Sequence, residues 1–145
     1  MNKKIDFNNK TILITGGAGF KGSNLAFYFQ DKFPNANIVI FDCFRNQSTF
    51  SNGNLKSFGH FKNLIGFNGS IITGDITNKY ELNLLRKYKF DYIFHHAAIS
   101  DTRVYDQEIV MKTNLNSFYD LLEIAKENKS TMVYASSAAT YGNEK

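Results

Sequence analysis

The sequence predicts an α/β domain with a doubly wound parallel sheet of about five strands and flanking helices. Apolar, β-branched segments alternate with helical patterns along the 145 residues, as in parallel α/β sheets. The segment TILITGGAGFKG, residues 11–22, passes from an apolar strand through three spaced glycines into a helical pattern. Polar or small residues follow the other predicted strands, at the edge where such sheets bind ligands.

The predicted elements follow from the spacing of the apolar residues. Continuous apolar runs indicate buried parallel strands, and apolar residues three and four apart indicate helices. Strands are predicted at Thr11–Thr15, Asn37–Asp42, Ser70–Thr73, Phe90–His95 and Thr131–Ser136, and helices at Phe20–Lys32, Lys79–Lys89 and Val104–Asn128. Helix residues predicted to face the core include Leu25, Phe29, Leu82, Leu85, Tyr88, Val110, Leu115, Phe118, Leu121, Leu122 and Ala125. Cys43–Gly69 is predicted to be a long loop with a helical turn near His60–Leu64.

The composition excludes several classes of protein. A hydrophobic content of 43% is too high for a disordered chain, and the net charge of +4 is scattered, which argues against nucleic-acid binding. The single cysteine, Cys43, excludes an internal disulfide and fits a reducing compartment. The sequence has neither an apolar run long enough to cross a bilayer nor a secretory signal, so it predicts a cytoplasmic protein without a membrane partner.

The three spaced glycines Gly16, Gly19 and Gly22 predict a site for a dinucleotide diphosphate. Without Cβ atoms, glycines allow a tight turn and bring backbone amides close to phosphates. Phe20 and Lys21 begin the next helix, whose free amides and positive dipole end would face the same phosphates. A glycine-rich turn without a ligand is the simpler alternative.

Acidic residues at the end of the second strand and after the third are predicted to contact the adenosine half of the cofactor. Asp42 lies about 20 residues after the glycines, where a carboxylate accepts hydrogen bonds from a ribose diol and favours NAD. Arg45 could instead pair with a 2′-phosphate, which leaves NADP open. Asp75 is predicted to accept from the adenine amino group, with Ile76 against the ring. The alternative is that Asp75 or Thr77 caps the next helix.

The loop after the fourth strand combines small and polar residues. Ala97 and Ala98, beside His96, would let a flat cofactor lie against the backbone. Since His95 and His96 point to opposite faces of a strand, no metal site is predicted. The residues predicted to contact a substrate are Ser100, Asp101 and Thr102.

These motifs together resemble the extended short-chain dehydrogenase/reductases, from residue 9 onward. The matching stretches are Thr15-Gly16-Gly17-Ala18-Gly19-Phe20-x-Gly22, Asp75-Ile76, His95-x-Ala97-Ala98 and YASSAATYG at 134–142. The resemblance implies a Rossmann fold that binds NAD or NADP. HHAAISDT and YASSAATYGN are most similar to the epimerases that act on ADP-heptose. Ala138 and Ala139 after Ser137 speak against a dehydratase, which would have Asp-Glu there.

The resemblance also implies a reaction. Bound NAD(P) would take hydride from a sugar carbon, giving a transient ketone, and return it to the other face. Ser137 would help to bind the reacting oxygen, and a serine at a strand end is suited to stabilise charge there. Asn114 would help to build the cofactor side of the site. Lys21 departs from the family pattern, which has an apolar residue at this position.

The family's catalytic Tyr-x-x-x-Lys pair and its sugar-binding region are expected beyond residue 145. Tyr141 and Lys145 have this spacing, but Gly142 and Asn143 between them are poor helix formers, so the pair is not predicted to be catalytic. Residues 1–145 are expected to form a cofactor-binding Rossmann domain that is inactive alone, from a homo-oligomeric parent acting on ADP-heptose. An enzyme for another nucleotide sugar and a non-catalytic dinucleotide sensor stay open as alternatives.

Overall fold

A five-stranded parallel sheet organises the protein. The computed structural model describes residues 5–45 and 59–142. The strands are β1 (Thr11–Thr15), β2 (Asn37–Asp42), β3 (Ser70–Thr73), β4 (Tyr92–His95) and β5 (Thr131–Tyr134), in the order β3-β2-β1-β4-β5. The helices are α1 (Phe20–Lys32), α2 (Lys79–Leu82), α3 (Gln107–Met111) and α4 (Ser117–Asn128). The predicted fold class is confirmed.

The strand order reverses beside β1. This strand pairs with β2 on one side and β4 on the other, so Thr15 lies next to both Phe41 and His95. In open α/β sheets, ligands bind in the crevice outside the carboxyl ends of the strands at such a reversal. The glycine turn after β1 and the loop after β4 both leave the sheet at this point.

Helices cover both faces of the sheet, as the doubly wound prediction requires. Alternate residues along a strand point to opposite faces, so each strand contributes to two apolar layers. The layer under α2 and α4 contains Leu13, Val39, Phe41, Ile93, Leu82, Leu85, Leu121 and Ile124. The layer under α1 contains Ile12, Ile14, Ile38, Ile40, Ala26 and Phe29.

The segment predicted as one helix at Lys79–Lys89 is instead α2 followed by a 3₁₀ turn, Asn83–Lys87. In a 3₁₀ turn, residues three apart lie above one another. This tightening places Leu82 and Leu85 in the core together, at 3% and 0% exposure.

The predicted helix Val104–Asn128 starts later, at Gln107. Its N-cap is Asp106, whose Oδ1 accepts a hydrogen bond of 3.1 Å from the amide of Ile109. A π-helical segment, Lys112–Asn116, then separates α3 from α4.

The wider π turn changes the direction of the side chains around it. Leu115, within this segment, was predicted to face the core but is 43% exposed. Leu121 in α4 is fully buried, as predicted.

The remaining boundaries differ by a few residues. β4 begins at Tyr92 rather than Phe90, and β5 ends at Tyr134 rather than Ser136. The helical turn predicted near residues 60–64 is a 3₁₀ turn, Phe61–Leu64. Residues 46–58 of the predicted loop lie outside the described residues. In the part of the chain that the structure describes, no helix has both the length and the apolar character needed to span a membrane.

Candidate cofactor-binding site

The glycine turn lies directly against the loop after β4. Gly16 has a φ of +68°, a conformation that side chains rarely adopt. A Cβ on Gly16 would be 2.7 Å from the amide nitrogen of Ala97. A Cβ on Gly22 would be 2.3 Å from the carbonyl oxygen of Gly16. Two of the three predicted glycines are therefore required by close backbone approach: Gly16 where the ends of β1 and β4 meet, and Gly22 where α1 packs against the turn.

Helix α1 begins at this turn without a side-chain cap. Its N-cap is Gly19, and no side chain accepts from its first amides. The first amides of a helix have no partner within the helix, so they are free to bind an anion. Phe20 is 82% exposed and Lys21 is exposed beside it. The first turn of α1 is thus open and carries a positive charge.

His95, at the end of β4, is a buried part of the sheet. Its Nδ1 lies 2.7 Å from the hydroxyl of Thr15, and that hydroxyl accepts a hydrogen bond of 3.3 Å from the amide of Ala97. We infer that the Thr15 hydroxyl donates to Nδ1, which makes His95 the Nε2–H tautomer. Burial, with a smaller contribution from His96, lowers the pKa of His95 to about 4, so the ring is neutral at pH 7.

His96 directly follows β4, and its ring lies close enough to Lys21 of α1 to be affected by that charge, whereas the ring of His95 lies near Phe118 of α4. Its Nδ1 is buried and, among the described residues, has no hydrogen-bond partner. Burial lowers the pKa of His96, and the nearby Lys21 ammonium lowers it further. A buried ring nitrogen without a partner beside the glycine turn is a polar group that a ligand could satisfy.

Asp42 is placed differently from a simple ribose contact. The residue is 6% exposed, and its two carboxylate oxygens accept from the amides of Ala18 (2.9 Å) and Phe44 (2.8 Å). A Cβ on Gly59 would be 2.4 Å from Oδ1, so Gly59 packs directly against the carboxylate. Burial raises the pKa of Asp42, while the two amide hydrogen bonds oppose the rise. In this structure Asp42 holds the glycine turn in place by accepting the hydrogen bond from the amide of Ala18.

A segment that the sequence did not single out closes over the same turn. The amide of His60 donates to the carbonyl oxygen of Ala18 at 3.0 Å, and the side-chain amide of Asn63 donates to it at 2.8 Å. The helical-turn prediction located this segment, but no motif indicated its contact with the glycine turn.

Asp75 and Ile76 follow β3 as predicted, with different partners. Asp75 Oδ1 accepts from both the amide and the hydroxyl of Thr77, and it is Asn78 that caps α2. The cap alternatives at Asp75 and Thr77 are therefore wrong, because the chain turns once more before the helix starts. Ile76 is 5% exposed and packs in the core, so its side chain is not open to an adenine ring as predicted.

Asn114 fixes the loop after β4. Its Oδ1 accepts from the amide of Ile99 at 2.8 Å, and its Nδ2 donates to the carbonyl oxygen of Ile99 at 2.9 Å. Asn114 lies in the π-helical segment, which is a frequent location for functional residues. Ala97, which is half-buried, and Ala98, which is exposed, directly precede Ile99, the residue that Asn114 anchors.

The predicted substrate contacts are on the same loop. Ser100 and Thr102 are exposed. The carboxylate of Asp101 is instead paired with Arg103, a residue that the sequence reasoning did not select.

Ser137 is exposed and precedes a 3₁₀ turn, Ala138–Tyr141, after β5. Its carbonyl oxygen accepts from the amide and the hydroxyl of Thr140. Gly142, with φ of +66°, ends the turn directly after Tyr141, and Lys145 lies outside the described residues.

The structure thus brings Gly16, Gly22, His96 and Ala97 together, with Asp42 beneath them. Asp75 follows β3, which β2 separates from β1, and Ser137 follows β5, which β4 separates from β1. Neither residue has a direct contact with the glycine turn among the described interactions. The described residues contain no group of three or more His, Cys, Asp or Glu side chains that could hold a metal ion.

Comparison with known proteins identifies the family. The model for the NAD dependent epimerase/dehydratase family matches residues 12–145. The chain belongs to this family. Its fold is also that of solved epimerase structures. The chain is 54% identical to Helicobacter pylori ADP-L-glycero-D-manno-heptose-6-epimerase, with a TM-score of 0.86, covering 99% of this chain and 44% of that chain.

Other members of the epimerase family are more distant. ADP-L-glycero-D-manno-heptose-6-epimerase of Brachyspira hyodysenteriae is 33% identical over 132 residues, which cover 91% of this chain and 38% of the relative. UDP-glucose 4-epimerase from Brucella ovis, solved in complex with NAD, is 25% identical with a TM-score of 0.71, covering 92% of this chain and 38% of that chain. The chain therefore spans less than half the length of these relatives.

Proposed function

We propose that this chain is the cofactor-binding portion of an NAD(P)-dependent nucleotide-sugar epimerase. The proposed substrate is ADP-glycero-manno-heptose, and the reaction inverts one sugar carbon by transient oxidation and reduction. The 54% identity to the heptose epimerase of Helicobacter pylori supports this substrate over those of the other relatives. The lone cysteine supports a reducing, cytoplasmic location.

One observation carries the cofactor assignment. The turn at Gly16 meets the backbone of Ala97 at the strand-order reversal, and it leaves no room for a Cβ. The uncapped start of α1 and the unpartnered Nδ1 of His96 border this turn. A cradle of backbone amides with a polar group lacking a partner fits a dinucleotide diphosphate.

Each residue then has a defined role toward NAD or NADP. The amides of Phe20, Lys21 and Gly22 would bind the diphosphate, with the Lys21 ammonium adding charge. Gly16 and Gly19 would shape the turn, because their own amides donate to the carbonyl oxygens of Phe41 and Gly16, respectively. The cofactor, when bound, supplies a hydride acceptor and donor. The residues proposed for the adenosine half are Asp42, Asp75 and Ile76, and those for the nicotinamide half are His96, Ala97, Ala98 and, through the loop, Asn114.

Asp42 bears on the choice between NAD and NADP. A carboxylate at the ribose favours NAD because a 2′-phosphate would be repelled. Gly59 packs against Oδ1 of this buried carboxylate, so ribose binding at Asp42 requires the segment at Gly59 to shift.

Ser137 is proposed to donate a hydrogen bond to the reacting sugar oxygen. Its exposure on the loop after β5, at the carboxyl edge of the sheet, supports this role. The general base would have to come from outside these residues, so we expect no epimerisation by the 145-residue chain alone.

Titration of NAD into the chain by calorimetry tests the proposal. Gly16→Ala is expected to weaken NAD binding at least tenfold, because the added Cβ displaces the turn from Ala97. Gly66→Ala is the matched control. Gly66 has a similar φ of +89°, but a Cβ there would meet nothing within 4 Å.

The control variant is expected to bind NAD like the wild-type chain, with a comparable cost in backbone strain. Failure of the folded wild-type chain to bind either NAD or NADP would disprove the proposed function. Equal losses in both glycine variants would show that strain, not the cradle, governs binding.

A further inference from the structure

The loop after β4 contains an oriented ion pair. Arg103 Nε donates to Asp101 Oδ1 at 3.1 Å, and one terminal guanidinium nitrogen donates to Oδ2 at 2.8 Å. The backbone amide of Arg103 also donates to Oδ1, at 2.8 Å. Two parallel hydrogen bonds to a carboxylate fix the plane of a guanidinium.

The two members of this pair differ in exposure. The Asp101 side chain is 9% exposed, whereas the Arg103 side chain is 74% exposed. Hydrogen bonds from Arg103 lower the pKa of Asp101, so the carboxylate is ionised at neutral pH. The carboxylate therefore serves as an internal anchor, and the guanidinium is turned outward with donors left over.

The position of the pair relates it to the proposed substrate. The loop is anchored two residues earlier, at Ile99, by the paired hydrogen bonds from Asn114. In the loops that follow β4 and β5, residues 96–106 and 135–142, Arg103 is the only Lys or Arg. Exposed Ser100 and Thr102 flank it.

We propose that Arg103 binds a phosphate oxygen of the nucleotide-sugar substrate, and that Asp101 is a positioning residue that orients it. This inference rests on the proposed function and adds a substrate contact to it. Arginine suits phosphate because its planar fork matches two oxygens at once. Asp101, expected from the sequence to contact substrate, acts instead through Arg103.

Binding of ADP-glucose tests the inference in the NAD-saturated parent enzyme, which includes the sugar-binding region expected beyond residue 145, with adenosine as the phosphate-free probe. Arg103→Met is expected to weaken ADP-glucose binding about ten- to a hundredfold, the cost of losing a charge-assisted hydrogen bond. Arg103→Lys should weaken it less, since the charge stays while the fork is lost. Affinities for adenosine and NAD should not change.

Arg86→Met is the matched control, because Arg86 is also paired with a carboxylate, that of Glu127, on a different part of the surface. Asp101→Asn should weaken ADP-glucose binding in the wild-type background but not in the Arg103→Met background. A purely structural role for Asp101 would instead lower affinity for all three ligands.

Three results would overturn the inference. They are unchanged ADP-glucose binding by Arg103→Met, an equal loss of NAD binding in that variant, and no ADP-glucose binding by the NAD-saturated wild-type parent enzyme. In each of them the wild-type chain still binds NAD, so the proposed function survives. Loss of NAD binding by the wild-type chain would count against the proposed function itself.

Discussion

The two edges of the sheet treat their polar groups in opposite ways. At the amino edge, Asp91 Oδ1 accepts from the Lys10 ammonium at 3.0 Å and Oδ2 accepts from the amide of Thr11 at 2.9 Å. At the carboxyl edge, the Nδ1 of His96 is buried without a partner in the described chain, and α1 starts without a side-chain cap. The polar groups at the amino edge are paired with one another, whereas the carboxyl edge leaves polar groups unpaired for a ligand.

A cavity of about 350 Å³ makes this difference instructive. It lies at the amino edge and is lined by Lys10, Lys89, Phe90, Asp91, Tyr92, Asn128, Lys129 and Thr131. Asn128 donates to the carbonyl oxygen of Ile124 and accepts from the amide of Phe90, so its polar atoms are already used. Because Lys10, Asp91 and Asn128 are already paired within the chain, the polar groups of this cavity stabilise the fold. The carboxyl edge, where the first amides of α1 have no side-chain acceptor, is the better candidate for binding.

The largest effect is expected from removing the Asp42 carboxylate at the carboxyl edge. Asp42→Ala leaves the buried amide of Ala18 and the partly buried amide of Phe44 without their acceptor. We expect the free energy of unfolding to fall by about 2–4 kcal/mol, from two lost hydrogen bonds to a buried charge. NAD affinity should fall as well, because the Ala18 amide belongs to the glycine turn. Urea unfolding and NAD calorimetry measure the two effects.

Unchanged NAD binding by folded Asp42→Ala would contradict the role of this carboxylate in holding the turn. Asp42→Asn retains one acceptor oxygen, so it is expected to lose less stability than the alanine variant.

The matched change at the amino edge is Asp91→Ala. It also removes a carboxylate with two partners, but the Asp91 side chain is 37% exposed, and water can replace those partners. We expect a loss of about 1 kcal/mol in urea unfolding. NAD affinity should be that of the wild-type chain. An equal loss of NAD binding in this variant would remove the functional distinction between the edges.

The sequence predicted the carboxyl edge better than the details of its contacts. The glycine turn and the five strands followed from local rules: residue period and glycine geometry. The burial of Asp42 under Gly59 could not be predicted, because residues 17 apart meet only through tertiary packing. The π-helical segment and the Asp101–Arg103 pair were missed for related reasons. An apolar period does not reveal an extra residue in a turn, and a two-residue spacing does not specify an ion pair.

The pH dependence of stability should have opposite signs at the two carboxylates. The pKa of Asp91 is lowered in the fold, first by the Thr11 amide, so its contribution is present above the unfolded value of about 3.9 and is lost as pH falls through the folded pKa. The pKa of Asp42 is raised by burial, so its contribution declines as pH rises from about 3.9 through the folded pKa.

Urea unfolding between about pH 3 and pH 7 measures these slopes. The wild-type advantage over Asp91→Asn should shrink toward low pH, and the advantage over Asp42→Asn should grow. Parallel slopes for the two pairs would show that burial does not control Asp42.

The smallest effect concerns His95. It lies at the carboxyl edge, but its Nδ1 has a hydrogen-bond partner within the chain, as the polar groups of the amino edge do. Its Nδ1 is paired with Thr15, whereas the Nδ1 of the neighbouring His96 is not. NMR of the ring nitrogens should therefore find His95 as the Nε2–H tautomer, titrating near pH 4, with no response to NAD. The His96 signals should shift on adding NAD, because the cofactor would supply the missing partner. Thr15→Val removes the donor to His95 and should release its tautomer preference without moving the His96 response. If NAD shifted the signals of both rings alike, His95 and His96 would respond equally although only His95 has a hydrogen-bond partner at Nδ1. A missing partner would then not distinguish the ligand-binding groups of this edge from its structural groups.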